Sequence, residues 1–191
     1  MTRSIIPKEA LINSTNEMKC EAHGTQQPKH INLIGEGVST AQQSNSLVQS
    51  INQRFPNDLI ASYLHTDYQI SIHNEPICLR INHYLEPLAH LLRTTQQACG
   101  AIISAYNPQS TLQSDEDNAR AHQLLQDYLR NQGYAITESL HKDPAEQWPI
   151  EKGFFVTGVN LDDARSIGQQ FNQNAIVWIG SDAIPRLILL N

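Results

Sequence analysis

The sequence predicts an α/β domain, with α+β as the variant: a single mixed, partly antiparallel sheet with helices packed on it, behind a disordered N-terminal tail. Three observations lead there. Residues 1 to about 50 are rich in Gln, Asn, Ser and Thr and hold no aromatic residue, so they bury too little apolar surface to offset the cost of ordering the chain. From Phe55 onward, short apolar runs alternate with segments of helical period. Some of the strand-like runs are separated by a few turn-forming residues and others by whole helices, a mixture of hairpins and crossovers. The chain therefore divides into a flexible polar tail, 1–50, and one globular domain, 55–191.

Taken in order, "NDLIASYLHTDY" has Asn57 or Asp58 as a cap and Leu59, Ile60, Tyr63 and Leu64 on one helical face. "YQISI" and "ICLRI" read as a hairpin around "HNEP", with Pro76 confined to the turn. Pro87 starts a second helix, which carries Leu88, Ala89, Leu91 and Leu92 and ends near Gln97. "AIISAY" is a buried strand, stopped by Asn107-Pro108 because proline cannot donate to a ladder. Ser114, three residues before Asp117, caps a long helix. Its apolar face is Ala121, Leu124, Leu125, Tyr128 and Leu129, and Gly133 gives it a left-handed stop. After a loop with Pro144 and Pro149, "GFFVTGV" is a strand, Asn160 caps a helix facing inward through Leu161, Ala164, Gly168 and Phe171, and "AIVWIG" and "RLILL" close the chain as strands.

Composition excludes several function classes. The net charge is −6 and only Lys142 and Lys152 follow Lys29 among the lysines, so no basic stripe is present to neutralise phosphates and no nucleic acid partner is expected. No run reaches the length of a membrane span and the N-terminus has no apolar leader, so a cytoplasmic protein with no membrane partner is expected. Cys20, Cys78 and Cys99 match neither a zinc nor a redox spacing and read as idle thiols. His83, Glu86 and His90 share a helical spacing, but Pro87 falls between them, so no metal site and no cofactor is assigned. "INLIGEGVST" offers Gly35 and Gly37 without the third glycine or the lysine of a phosphate loop.

One set of segments has a familiar arrangement. "AIISAYNPQS", "DEDNARAHQLLQDYLRNQGY", "WPIEKGFFVTGV" and "FNQNAIVW" together resemble the bacterial family catalogued as domain of unknown function 3293, over roughly residues 63–190. The pattern is Asn107, Pro108 and Ser110 after a strand, Asn118 in the next helix, Trp148 and Glu151 leading into a strand, and Phe171 and Gln173 before another. Ser104 and Asn172 depart from it, standing where Thr and Gly are the more usual residues. The resemblance implies an intracellular bacterial domain and supplies no activity.

The candidate chemistry gathers on those positions. Asn107 stands at the carboxyl end of a strand beside Ser110 and a helix start, a place where α/β proteins hold ligands, although plain turn chemistry also accounts for Asn-Pro. Glu151, flanked by Trp148, Pro149, Ile150 and Phe154, is the carboxylate suited to proton transfer if burial raises its pKa. Its structural alternative is pairing with Lys152, Arg120 or a backbone amide. No serine has a nucleophile elbow, and His122 and His141 read as surface or core-edge residues. The expectation is a non-catalytic binding or regulatory module for a small polar ligand or a protein partner, with Asn107, Ser110, Asn118, Trp148 and Gln173 as ligand-binding residues. The alternative is an enzyme acting on a small polar metabolite with Glu151 as general acid or base.

Overall fold

A computed structural model describes residues 55–72 and 75–190. The expected tail, the Gly35 and Gly37 segment and Cys20 lie outside them. In chain order the described elements are α1 (Asn57–His65), β1 (Asp67–Ile72), β2 (Glu75–Leu79), α2 (Glu86–Thr94), β3 (Gly100–Ser104), a 3-10 turn (Pro108–Ser110), α3 (Asp115–Asn131), β4 (Ala135–Lys142), β5 (Glu151–Thr157), α4 (Leu161–Gln170), β6 (Ala175–Ile179) and β7 (Pro185–Leu189). The seven strands form a single sheet in the order β2-β1-β4-β5-β3-β6-β7. The expected sheet with helices packed on it is present, and every ladder in it is antiparallel, which puts the fold at the α+β end of the expectation.

The two faces of the sheet hold separate cores. Leu88, Ala89 and Leu92 of α2 pack with Tyr68, Ile70, Ile102, Phe155, Val177 and Ile179 on one face. Leu125 and Leu129 of α3 and Ala164 and Ile167 of α4 pack with Ala101, Ile103, Phe154, Val156 and Ile176 on the other. Strands β3 and β5 are central and covered on both sides, which is why they read as unbroken apolar runs. Phe154 and Phe155, adjacent and facing opposite ways, are both fully buried, each worth roughly 1.5–3 kcal/mol of transfer free energy.

Helix ends follow local chemistry. The Ser114 hydroxyl accepts the Asp117 N–H at 3.1 Å and Asn160 accepts that of Asp163 at 2.8 Å, and Gly133 takes φ +81° just beyond α3, as the sequence predicts. The start of α1 does not: Pro56 is its cap residue and no side chain caps it. Proline's fixed φ already suits a helix entry, so neither Asn57 nor Asp58 is needed there.

Four further expectations are corrected. Pro76 lies within β2, opposite Ser71, rather than in the turn; β2 is an edge strand, the place within a sheet where proline is tolerated. The inward stripe of α3 runs through Asn118, His122, Leu125 and Leu129, while Leu124 is 59% exposed. A count of apolar residues misses a stripe whose first two members are polar. Phe171 does pack against the core on the α4 side, half-buried and edge-on to Tyr128, but the inward face of α4 also includes Ile167, which the expected stripe omits. Strand β4, "AITESLHK", was not predicted at all. One of its faces carries Thr137, Ser139 and His141, so hydrophobic alternation cannot reveal it; β1 and β5 on either side supply the apolar surface.

Candidate functional site

The site is built outward from the end of β3. The Ser104 hydroxyl donates to the Lys152 carbonyl at 2.8 Å and accepts the Tyr106 N–H at 2.9 Å, which turns the chain out of the sheet. Asn107 then adopts a left-handed conformation, φ 42° and ψ 60°, directly before Pro108, and Gln109 and Ser110 follow with φ 54° each. Left-handed non-glycine residues cost free energy and persist only where their surroundings hold them.

What holds Asn107 is Asn118, on the first turns of α3. The Asn107 N–H donates to Asn118 Oδ1 at 2.8 Å, and Asn118 Nδ2 donates back to Asn107 Oδ1 at 3.0 Å. The Gln113 N–H gives that same Oδ1 a second donor at 2.9 Å. With its oxygen fully engaged, Asn107 directs Nδ2 onto Glu151 Oε1 at 2.7 Å. The indole of Trp148 donates to Oε1 as well, at 2.8 Å. Among the described residues no donor is paired with Oε2, and neither Lys152 nor Arg120 bridges the carboxylate; Arg120 pairs with Glu116 and Asp117 on its own helix. Burial raises the Glu151 pKa above the usual carboxylate range, and the bonds from Asn107 and Trp148 offset part of that rise.

Beside Glu151 lies a cavity of about 280 Å³. Tyr68, Ile102 and Val177 from the α2-side core form part of its lining, and Leu59, Ser62 and Tyr63 of α1 form another part. No residue of α1 is fully buried. The helix is tied down through Tyr63, whose hydroxyl bonds Ser110 Oγ at 2.8 Å while its carbonyl accepts the Tyr68 hydroxyl at 3.1 Å. Asn174 Nδ2 donates to the same Ser110 oxygen at 3.0 Å. Gln173 Nε2 donates to the carbonyls of Tyr106 and Phe171, both at 3.2 Å. Its neighbour Asn172 takes φ 53°, a left-handed position that asparagine tolerates and glycine, the usual residue of the family pattern, adopts freely.

His141 completes the wall. It stands opposite Glu151 across β4 and β5 and opposite Tyr68 across β1 and β4, its ring edge-on to Tyr68 with centroids 5.1 Å apart. The Ser139 hydroxyl bonds its Nε2 at 3.0 Å. The imidazole lies over Gly153, where a Cβ would come within 2.9 Å of the ring and 2.7 Å of the Ile103 carbonyl, so only glycine leaves it room. Half-buried by surface area and lining the cavity, His141 has its pKa pushed down to about 4, by desolvation first and by His122 to a smaller extent.

Of the residues that the sequence nominated, Asn107, Ser110, Trp148, Glu151 and Gln173 all line this cavity. Asn118, expected among the ligand-binding residues, sits behind Asn107 with its side chain joined to it and is not part of the lining. Sequence reasoning missed Tyr63, Tyr68, Tyr106 and His141. His141 was hidden with the strand that carries it, and the tyrosines look like ordinary core residues until the cavity is seen.

No curated protein and no solved structure matches the chain. A family model does, described as a protein of unknown function, DUF3293, and it spans residues 103–176. That segment runs from the middle of β3 into β6 and carries the Asn118, Asn107, Glu151 and Trp148 network together with Ser110 and Gln173. Residues 103–176 of the chain are thus similar to the family of proteins of unknown function DUF3293.

Proposed function

We propose that the domain is a binding module for a small polar ligand, seated in the cavity beside β5 with Glu151 as its anchor. One observation carries this reading. Glu151 has one oxygen bound by two internal donors and the other without a donor among the described residues, in a cavity of about 280 Å³. Oε2 is not among the buried atoms left without a partner, so it is accessible from the cavity while Asn107 and Trp148 fix the other oxygen, which orients the carboxylate to take a donor from a ligand. Enzymatic proton transfer by Glu151 is the second reading, favoured by its raised pKa. Against it stands the wall itself: the Ser104 and Ser110 hydroxyls are bonded to Lys152 O, Tyr106 N, Tyr63 and Asn174, and neither touches a base.

Glu151→Gln tests the proposal. A glutamine Oε1 accepts the same two donors, from Asn107 and Trp148, and changes only the group in the second position. The expected result is a melting temperature close to wild type at neutral pH, together with loss of the stabilisation that a binding compound gives wild type in a thermal-shift screen. A variant that loses about 1 kcal/mol or more without ligand, and responds to the same compounds as wild type, would make Glu151 a structural residue. Turnover of a screened compound by wild type but not by the variant would favour the enzyme reading.

A further inference from the structure

The cavity wall also specifies the charge of what it holds. We propose that the ligand is an organic cation, an ammonium or guanidinium group on a small and partly apolar body, held between the Glu151 carboxylate and the aromatic rings of Tyr63, Tyr68, Tyr106 and Trp148. This rests on the reading of the cavity as a binding site.

Three features of the wall carry it. The first is sign: among the described residues, Glu151 and Asp143 line the cavity and no lysine or arginine does. His141, held neutral at physiological pH by its lowered pKa, adds no positive charge. A phosphate or carboxylate would enter beside Glu151 with no cation to neutralise it. The second is where the polar tips of the aromatic residues go. The Tyr68 hydroxyl is bonded to the Tyr63 carbonyl, the Tyr63 hydroxyl to Ser110, and the Trp148 indole N–H to Glu151 Oε1. With these polar tips engaged inside the protein, what the three residues add to the lining is aromatic ring, and the face of such a ring attracts cations. The third is the division of labour between the two acids. Asp143 accepts the Ala145 and Gln147 N–H groups at 2.9 Å each and is engaged in shaping its loop, which leaves Glu151 Oε2 as the acceptor for a cation. The volume, about 280 Å³, lies at the small end of ligand pockets, so the body attached to the charge is small.

The test uses the full chain with its tryptophan indoles labelled with nitrogen-15. Trp148 reports on the site through its bond to Glu151, and Trp178, packed on the opposite face of the sheet, is the internal control. The probes are two matched sets of one skeleton each: phenethylamine, 2-phenylethanol and 3-phenylpropionate, and butylamine, 1-butanol and pentanoate. The amines are expected to shift the Trp148 indole signal saturably, at least about tenfold more tightly than the alcohols, with the acids weakest and Trp178 unmoved. Glu151→Gln should lower amine affinity about tenfold and leave the alcohols as they were. If that variant melts early, Tyr63→Leu against Tyr63→Phe carries the comparison, because α1 buries no residue fully and only the leucine removes the ring. Alcohols or acids binding as well as the amines would overturn the cation and leave the binding module standing. Amine binding that neither Glu151→Gln nor Tyr63→Leu weakens would also overturn it. Silence from all six probes overturns the cation, and silence in the thermal-shift screen as well overturns the binding module with it.

Discussion

Asn107 is held in the left-handed region immediately before a proline, a position where the proline ring crowds the preceding residue. The strain persists because Asn118 pairs with both the backbone N–H and the side-chain oxygen of Asn107, leaving Nδ2 aimed at Glu151. Asn118 is thus a positioning residue: it sets the geometry of the carboxylate at one remove. Asn118→Ala strands the Asn107 N–H inside the protein, where Asn107 is only 4% exposed, and should cost about 1–3 kcal/mol in urea unfolding. Asn118→Asp should also destabilise, since it sets a second acceptor against Asn107 Oδ1 in place of a donor. A loss below about half a kcal/mol for the alanine variant would show that the turn keeps its shape without the clamp.

Among the elements, α1 and β4 define the cavity in different ways. Helix α1 has no buried residue and reaches the domain through the Tyr63 hydroxyl, Ser110 and the Tyr68 hydroxyl. Ser110→Ala removes one of those bonds without altering the demand on the backbone, since alanine and serine meet the same penalty at φ 54°. Amide hydrogens in 57–65 should then exchange about fivefold faster, the equivalent of one hydrogen bond of about 1 kcal/mol, while those of β3 and β5 stay unchanged. Equal rates in α1 would mean that its contacts with the cavity wall suffice to hold it. The contrast between these two elements also explains what the sequence could disclose. Strands β3 and β5, buried on both faces, and helices α3 and α4, capped by Ser114 and Asn160, announce themselves through hydrophobic runs and cap chemistry. Asn107, Glu151 and Gln173 were visible because each stands at the boundary of such an element. Strand β4 was not legible, because its cavity-side residues are Thr137, Ser139 and His141, whose burial is a property of the assembled sheet. The same holds for His122 and Asn118 on α3, polar residues placed inward by neighbours distant in sequence.

At the scale of the whole molecule, the domain encloses two titrating groups with opposed effects on stability, directly across from each other on β4 and β5. His141 is depressed to about 4 from an ordinary 6.5, so the unfolded chain binds the proton more readily. Its contribution is complete above pH 6.5 and is lost as the pH falls towards 4, on the order of 3 kcal/mol across that window. Glu151 is raised, so its contribution is complete below the ordinary carboxylate range and is lost as the pH climbs through the raised value. His122, also lowered by burial, acts in the same sense as His141. Urea unfolding should therefore show wild type losing stability between pH 6.5 and 4 more steeply than His141→Gln, which keeps a group able to bond Ser139 but has no proton to gain. The Glu151→Gln background sharpens the comparison, because it removes the term that partly masks the loss. There, the His141→Gln substitution should flatten the acid slope by the largest margin. Parallel slopes with and without the imidazole, in both backgrounds, would mean that His141 takes up its proton inside the folded domain as readily as in water, and that the cavity wall is wetter than its packing against Tyr68 and Gly153 implies.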